Sequence, residues 1–251
     1  MTTLLDTHCH LDRYPSPPVT LAAARRAGVA VVAVTDNPDA YRRLRTQLGP
    51  RANDVTVALG LHPASAAAAA PGQLSRFFRM LPDTEWVGEV GLDFGPDITA
   101  VDRRRQRTAL ETILDHEQIR SKILSVHSRG AAAETVELLT ASPCRAILHW
   151  FTGSQPTADA AAAHGLWFSV NPAMTRSPRG RRLVAGLPLE QVLCETDGPY
   201  CRIGSRPASP ADVPTIVSAL ADIWKLEIDE TAAQLARNVN RLTAATSPDK
   251  A

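Results

Sequence analysis

A run of seven residues, DTHCHLD from Asp6 to Asp12, ends the first strand-like segment of the chain. Residues two apart in an extended segment point to the same side, so His8 and His10 face one way and Cys9 faces the other, into packing. An open, doubly wound parallel sheet would normally have a glycine-rich phosphate-binding turn at this position. This segment has no such glycine motif, which favours a closed barrel over the open sheet and would place both histidines at its mouth.

Eight short runs rich in β-branched residues recur along the chain, separated by segments of helical composition or periodicity. Strands that alternate with helices pair in parallel, because each crossover returns the chain to the same end of the sheet. This pattern predicts an α/β fold, a single-domain (β/α)8 TIM-like barrel over residues 1–246 with a polar tail at 247–251; the alternative is an open doubly wound sheet. The predicted strands are Leu4–His8, Val29–Thr35, Val55–His62, Trp86–Leu92, Lys122–His127, Arg145–Trp150, Leu166–Val170 and Gln191–Asp197.

Composition restricts the classes of function and the cellular compartment. The 251 residues carry a formal net charge of +1, so the charge of the whole molecule does not attract nucleic acid or anionic lipid, and any attraction for phosphate must be local. The four cysteines are scattered without a CxxC pair, which indicates thiols in a reducing compartment. Because we find neither a leader-like segment nor an uncharged apolar run of membrane-spanning length, we expect a cytoplasmic protein.

The carboxyl ends of the predicted strands are rich in residues that bind metals. Parallel barrels place their active sites at this end of the strands. A lone histidine there could equally be a core or surface residue, and a lone buried carboxylate could belong to a structural ion pair. Their recurrence at the ends of several strands predicts a metal site formed by His8, His10, Glu89, His127, His149 and Asp197.

The acidic residues of this set suggest distinct tasks. Glu89 lies in the apolar segment WVGEVGLD, where a carboxylate needs a cation or several hydrogen-bond donors to offset its desolvation. Asp197 ends the eighth strand, where it could bind a metal and accept a proton from metal-bound water.

Glu195 has the same parity as Asp197 and would reach the site or form a salt bridge. For His62, contact with substrate and capping of the following loop are both open.

Six motifs, taken together, resemble the TatD family of metal-dependent hydrolases, which belongs to the amidohydrolase-like barrels. They run through most of the chain in the family's order, and Asn238 with Arg241-Leu242 is similar to the family's closing helix motif. One such motif would be weak evidence, whereas six in order are specific. The motifs are DTHCHLD at Asp6–Asp12, GLHP at Gly60–Pro63, GEVGLDF at Gly88–Phe94, HSRGA at His127–Ala131, HWFTGS at His149–Ser154 and ETDGPY at Glu195–Tyr200.

The resemblance implies a two-metal hydrolase. Family members are described as nucleases that act on DNA or RNA with magnesium or related ions, and some relatives are deacylases. Histidine and carboxylate ligands without thiolate admit magnesium, manganese and zinc. The implied ligand sets are His8, His10, Glu89 and Asp197 for one ion and Glu89, His127 and His149 for the other, with Glu89 as the bridge.

A narrower resemblance rests on HWFTGS and on WFSVNPAM at Trp167–Met174. These segments are similar to the TatD-like component of Qat anti-phage defence systems, often called QatD, which implies other Qat proteins as partners. The chain departs from the usual family pattern at Gly130, where aspartate is frequent, and at Trp150, where a smaller residue is common. Both departures affect the rim of the site rather than the ligands.

The predicted reaction is hydrolysis of a phosphodiester bond in DNA or RNA. Two cations a few ångströms apart lower the pKa of a bridging water, so a hydroxide is available at neutral pH. It would attack phosphorus while Asp197 accepts its proton and the metals neutralise charge on the phosphoryl oxygens. Glu89 and Asp197 are thus the predicted catalytic residues, and the predicted substrate contacts are His62, Arg129, Trp150 and Glu195.

Arginines after the seventh and eighth strands predict a basic rim on the side where barrels commonly bind phosphate. They are Arg176, Arg179, Arg181, Arg182, Arg202 and Arg206. The alternative is that several of them are solvated charges on helix surfaces. Two other functions stay open: a metal-dependent deacylase or amidohydrolase acting on a carbonyl, and a partner-dependent subunit of a defence complex.

Overall fold

Eight parallel strands form the wall of the barrel in the computed structural model, which describes residues 4–49, 54–68 and 72–244. The tail predicted at 247–251 lies outside these residues. In chain order the strands are β1 (Leu4–Cys9), β2 (Val29–Ala33), β3 (Val55–Val57), β4 (Trp86–Gly91), β5 (Ile123–His127), β6 (Arg145–His149), β7 (Trp167–Val170) and β8 (Val192–Cys194). Each of the eight predicted strands is therefore confirmed, with ends that differ by a few residues.

Backbone contacts join these strands into one closed wall. β1 to β3 pair in order, as do β4 to β8, and a parallel bridge between Leu59 and Val87 connects the two groups. At the opposite seam, Asp197 N–H donates to the carbonyl of His8 at 2.9 Å. Because the end of β8 thus meets β1, the predicted barrel is confirmed and the open doubly wound sheet is excluded.

Helices cover the outside of this wall. Among the described residues they are α1 (Pro17–Arg26), α2 (Pro38–Leu48), α3 (Pro63–Ala67), α4 (Gln73–Met80), α5 (Ala100–Leu114), α6 (Ala132–Thr140), α7 (Gln155–Ala163), α8 (Pro172–Arg176), α9 (Pro178–Ala185), α10 (Val213–Trp224) and α11 (Ile228–Ala244). A short antiparallel hairpin, β9 (Arg202–Ile203) with β10 (Arg206–Pro207), follows β8. Nowhere in this part of the chain is a helix both long and apolar enough to cross a membrane.

Helix α2 begins at a clear local sequence signal. The side chain of Asn37 accepts a hydrogen bond from Ala40 N–H, and Pro38 occupies the first turn. Asparagine caps a helix by satisfying a free N–H, and proline there needs no N–H partner. The dipeptide Asn37-Pro38 therefore predicts this helix start.

Strand β4 carries Glu89, one of the predicted metal ligands. Every residue from Trp86 to Gly91 is buried. Gly91 has a φ of +136°, and a Cβ atom there would lie 2.1 Å from the carbonyl oxygen of His127. Glycine at this position therefore lets β4 approach β5 closely, which places Glu89 beside His127.

Candidate metal centre

The six side chains predicted to bind metal converge at the carboxyl ends of five strands, inside the mouth of the barrel. They come from β1 and the residue after it, from β4, β5 and β6, and from the segment after β8. Five of them are almost completely buried, with exposed fractions of 0% for His8, 3% for His10, 2% for Glu89, 4% for His149 and 3% for Asp197. His127 is half-buried.

Glu89 presents its two carboxylate oxygens to two different groups of donor atoms. Its Oε2 lies 3.2 Å from His10 Nε2 and 3.7 Å from His8 Nε2. These two nitrogens are 3.3 Å apart, and each lies 3.6 Å from Oδ1 of Asp197. The four atoms form one compact cluster.

The other oxygen of Glu89, Oε1, faces a second group. It lies 2.5 Å from His127 Nδ1 and 2.8 Å from His149 Nε2, and these two nitrogens are 3.2 Å apart. His62 Nε2 lies 3.7 Å from the same oxygen. Glu89 thus stands between the two groups, where the family resemblance implies a bridging ligand.

The donor group around Glu89 Oε2 fits a divalent cation. Atoms that bind a four-coordinate ion at about 2.1 Å lie about 3.4 Å from one another. The separations around Glu89 Oε2, from 3.2 to 3.7 Å, are close to that value. Buried imidazole lone pairs and carboxylates repel one another at such distances unless a proton or a cation lies between them. The residues of the cluster can therefore hold metal.

Burial and mutual contact shift the pKa values of the cluster in different directions. Burial raises the pKa of Asp197 to about 7. Burial acts in the same direction on Glu89, but the surrounding imidazoles, His62 foremost, outweigh it and hold its pKa well below the usual range. Burial also lowers the pKa of His8 well below its ordinary value. At neutral pH Glu89 is therefore charged, and the neutral ring of His8 has a lone pair available for a cation.

The backbone fixes the carboxylate of Asp197 over the cluster. Asp197 has a φ of +45°, a left-handed conformation that is uncommon outside glycine. Behind it, the buried carboxylate of Asp6 accepts hydrogen bonds from the N–H of Thr196 at 2.9 Å and from its hydroxyl. The first residue of the DTHCHLD motif thus holds the turn that carries Asp197.

Side chains behind the cluster contact the outer nitrogens of two imidazoles. His8 Nδ1 lies 2.7 Å from Ser125 Oγ. His127 Nε2 lies 3.3 Å from Oδ2 of Asp93. Outer contacts of this kind fix the orientation of a ring and select the nitrogen that carries the proton.

Glu195 is completely buried and lies behind His149 rather than on the pocket surface. Its Oε1 accepts the N–H of Trp150 at 2.9 Å and the side-chain amide of Asn171 at 3.0 Å, and its Oε2 accepts the hydroxyl of Ser169. The substrate contact predicted for Glu195 does not agree with this placement, because the carboxylate is enclosed by protein groups.

His62 caps a helix and also lines the pocket. Its Nδ1 accepts the N–H of Ala64 at 3.1 Å and so caps the start of α3. Its Nε2 points toward Glu89, and its ring lines the pocket. Capping is therefore confirmed, and contact with substrate stays a prediction.

A pocket of about 720 Å³ opens onto the cluster. Arg129 and Trp150, both predicted substrate contacts, line it. The side chain of Arg129 is 65% exposed, and one of its terminal nitrogens lies 3.7 Å from Asp93. Trp150 is half-buried and, like Asp197, has a left-handed backbone, with a φ of +39°.

The arginines of the predicted basic rim after β7 and β8 do not line the pocket. Among the described residues, Arg129 is the one arginine that lines the pocket. Arg181 and Arg206 form ion pairs with aspartates, and Arg179 donates to a backbone carbonyl. The helical and hairpin surfaces after β7 and β8 therefore hold most of these charges away from the cluster, as the alternative interpretation expected.

Asp36 and Tyr200 line the pocket and contact His10, but neither is among the predicted site residues. Asp36 follows β2, and its Oδ1 lies 3.6 Å from His10 Nδ1, while its other oxygen pairs with Arg13. Tyr200 follows Asp197, is 56% exposed, and has its ring centroid 4.8 Å from that of His10. The rule that active-site residues follow parallel strands would have found Asp36. Tyr200 lies in the ETDGPY motif, but only the path of the loop brings its ring to the pocket.

Known proteins resemble this chain over nearly its whole length. The sequence profile of the family described as TatD related DNase matches residues 5–244. The chain is 32% identical over 217 residues to the human deoxyribonuclease TATDN3, covering 78% of each protein. It is 29% identical over 259 residues to the metal-dependent hydrolase YcfH of Escherichia coli K12, covering 95% of each. The crystal structure of YJJV, a TatD homologue from Escherichia coli K12, superposes with a TM-score of 0.86 at 25% identity, covering 96% of this chain and 98% of that one.

Proposed function

The chain belongs to the TatD-related DNase family of metal-dependent hydrolases, and from this premise we propose that it is a nuclease that hydrolyses phosphodiester bonds of DNA or RNA. One observation carries the proposal: Glu89 directs one oxygen to each of two groups of donor atoms beneath an open pocket. This arrangement suits two cations that share one carboxylate ligand.

The residues that would hold the two ions are those of the two groups around Glu89. When bound, magnesium, manganese or zinc would lower the pKa of a water and neutralise charge on the phosphoryl oxygens. The ligand sets we assign are His8, His10, Glu89 and Asp197 for one ion and Glu89, His127 and His149 for the other.

Asp197 is the residue that we assign to accept the proton from the attacking water. Its carboxylate lines the pocket and lies 3.6 Å from both His8 and His10. The hydrogen bonds of Asp6 to Thr196 hold this part of the chain in place. A base must be fixed within reach of the proton it takes, and this position satisfies that requirement.

Arg129 and His62 are the groups that we assign to the phosphate. Both line the pocket, and the exposed guanidinium of Arg129 supplies positive charge at its edge. Because the net charge of the chain is +1, attraction of a nucleic acid depends on such local charge. The rings of Trp150 and Tyr200 line the same pocket and offer surfaces on which a base can stack.

The narrower assignment to a Qat-type defence system is part of the same proposal. It is supported by the similarity of WFSVNPAM at Trp167–Met174 to the QatD group, which implies other Qat proteins as partners. A cytoplasmic location, predicted from the scattered cysteines, belongs to the same proposal; all four are free thiols. Loss of phage protection in cells that express Glu89→Gln would support this role, and full protection by that variant would contradict it.

Cleavage by the purified protein tests the nuclease proposal directly. We would measure bound metal by elemental mass spectrometry and follow cleavage of end-labelled single-stranded DNA and RNA with and without chelator. Glu89→Gln removes the shared ligand, and Glu85→Gln makes the same chemical change at an exposed position before β4. We expect chelator-sensitive cleavage that is lost in the first variant and kept in the second.

Two results would change the assignment. Cleavage that persists at the parental rate in Glu89→Gln would contradict the role of the cluster. Bound metal without cleavage of either nucleic acid would contradict the nuclease activity, and the same preparation would then be tested on a panel of aminoacyl esters.

A further inference from the structure

We propose that Glu195 is a positioning residue that holds His149 and Trp150 together, and so couples one group of metal donors to the wall of the substrate pocket. The inference rests on the metal site and the nuclease activity proposed above. It assigns to one buried carboxylate the orientation of two residues that are adjacent in sequence but have different tasks.

Three donors from two neighbouring segments hold the carboxylate of Glu195 in place. Ser169, on β7, and Asn171, just after it, donate their side-chain hydroxyl and amide. Trp150, just after β6, donates its backbone N–H. Glu195 itself follows β8, so one side chain ties together the mouth ends of three strands. With no exposed surface, it cannot exchange these partners for water.

The first consequence concerns the ring of His149. Its Nε2 faces Glu89 at 2.8 Å, while its Nδ1 lies on the other side of the ring, 3.8 Å from Oε1 of Glu195. His8 stacks on the same ring, with centroids 3.9 Å apart and planes within 9°. Stacking fixes the plane of the ring, and the negative charge of Glu195 favours the proton on Nδ1. The lone pair of Nε2 is then directed at the metal site.

Glu195 is not placed to be a ligand of that site itself. It approaches the nitrogen of His149 that points away from Glu89. Its two oxygens already accept hydrogen bonds from Trp150, Asn171 and Ser169. A carboxylate behind a ligating histidine orients the ring and increases its basicity, and loss of such a partner typically weakens metal binding by about 10- to 100-fold.

The second consequence concerns the indole of Trp150. A φ of +39° is unfavourable for a residue with a bulky side chain. The hydrogen bond from Trp150 N–H to Glu195 compensates for this conformation. Because the chain turns at this point, Trp150 leaves the direction of β6 and lines the pocket. Glycine would adopt the same backbone without strain but would supply no ring.

Three variants separate the two consequences. Glu195→Gln keeps an oxygen for Trp150 and Asn171 but removes the charge that faces His149. Trp150→Gly keeps the left-handed backbone but removes the indole. Glu195→Ala removes both the charge that faces His149 and the acceptor for Trp150. The double variant Glu195→Ala with Trp150→Gly shows whether the effect of Glu195→Ala on substrate binding passes through the indole. Thermal unfolding confirms that each variant is folded.

Two measurements read the two effects independently. Protein stripped with chelator is titrated with Co²⁺, followed by calorimetry and visible absorption. Cleavage of a labelled single-stranded DNA gives kcat and KM separately. We expect Glu195→Gln to bind Co²⁺ about tenfold more weakly with an unchanged KM. We expect Trp150→Gly to bind Co²⁺ as the parent does, with a KM raised about tenfold by the loss of stacking.

The action of Glu195 on His149 and its action on Trp150 can each be contradicted by a separate result. Parental Co²⁺ affinity in a folded Glu195→Gln would exclude action through His149. A further rise in KM when Glu195→Ala is added to Trp150→Gly would exclude action through the indole, since coupled effects are not additive. If the parent cleaves neither DNA nor RNA, the nuclease proposal fails, but the Co²⁺ titration still decides the role of His149.

The indole then has its own readout. Co²⁺ quenches the fluorescence of several tryptophans, so the part due to Trp150 is the difference in quenching between a protein with Trp150 and the same protein with Trp150→Phe. This difference is measured in the parent and in Glu195→Ala. With Co²⁺ at saturating concentration, we expect this difference to change in Glu195→Ala, because the indole leaves its position in the pocket that the metal donors line. An unchanged difference would overturn the link to Trp150 whether or not the protein is a nuclease.

Discussion

The two ends of β4 bury polar groups in different ways. At the amino end, Thr84 Oγ1 donates to the carbonyl of Trp86 at 2.7 Å, and Lys122 Nζ donates to the carbonyl of Thr84 at 2.7 Å. At the carboxyl end, Glu89 faces imidazole nitrogens from several strands within a few ångströms. Protein partners satisfy the amino end, whereas the carboxyl end concentrates metal-binding atoms. In barrels of this kind the first arrangement serves stability and the second serves chemistry.

Each end also has a cleft, and size does not tell which one is functional. A cleft of about 820 Å³ lies between α2 and the segment before β4, lined by residues such as Tyr41, Arg45 and Glu85. The pocket over the metal donors, at about 720 Å³, is slightly smaller. The donor atoms beneath it, and not its volume, identify it as the candidate active site.

The largest effect should come from Asp197→Asn. Removing the proton acceptor should lower kcat by about 10³-fold, because a positioned general base contributes that order of rate. Asparagine has nearly the same shape, so the thermal midpoint should change little. Steady-state cleavage assays and thermal unfolding would check this. The control is the same chemical change at the amino-end cleft, Asp83→Asn, which should keep the parental kcat. A similar loss of kcat in both variants would contradict a specific role of the carboxyl end in catalysis.

A smaller effect should follow from adding and removing cations. A cation that binds only the folded protein stabilises it by about 2.7 kcal/mol when its concentration is 100 times its Kd. Thermal unfolding of the stripped protein should therefore shift upward with Mn²⁺ or Zn²⁺. The shift should vanish in Glu89→Gln and persist in Glu85→Gln. If Mn²⁺ and Zn²⁺ both leave the stripped parent's midpoint unchanged, the cluster does not bind these metals.

At the opposite end, Thr84→Val should affect stability and not catalysis. Valine matches the shape of threonine but removes the hydroxyl that bonds Trp86. Loss of a buried hydrogen bond costs about 1–3 kcal/mol. Urea unfolding should show this decrease, while kcat/KM and the cation-induced shift remain parental. A folded variant with a large loss of kcat/KM would show that the two ends are not independent.

The smallest effect should come from Arg129→Ala, at the edge of the pocket. KM should rise roughly tenfold, and the salt dependence of binding should weaken by about one phosphate contact. Arg206→Ala is the control, because its guanidinium pairs with Asp212. Measurements of KM at several salt concentrations would separate the two arginines. Equal salt dependence of all three proteins would exclude Arg129 as a phosphate contact.

Local sequence patterns predict much of what distinguishes the carboxyl ends of the strands. The period-two alternation in DTHCHLD predicts that His8 and His10 share a face and that Cys9 is buried, as the structure shows. Glu89 in an otherwise apolar strand predicts a carboxylate that needs partners. These inferences succeed because strand parity and burial depend on neighbouring residues in the chain. The start of α2 carries a local signal of the same kind, in Asn37 and Pro38.

Other features depend on contacts between distant strands. Glu195 has the parity of Asp197, yet it is enclosed by Ser169, Asn171 and the backbone of Trp150. Neither spacing nor composition reveals that enclosure, because the partners come from β6, β7 and the segments that follow. For the same reason, the sequence could not show which arginines would reach the pocket.

Periodicity and residue type in the sequence were sufficient to predict the eight strands, the donor types at their ends and the side of each strand on which they lie. Two features appear only in the folded barrel: the two oxygens of Glu89 face different donor groups, and Glu195 lies behind His149. The physical reason is the closure of the barrel. Periodicity assigns a side chain to a face, but the distances between faces depend on how eight strands pack around a common core.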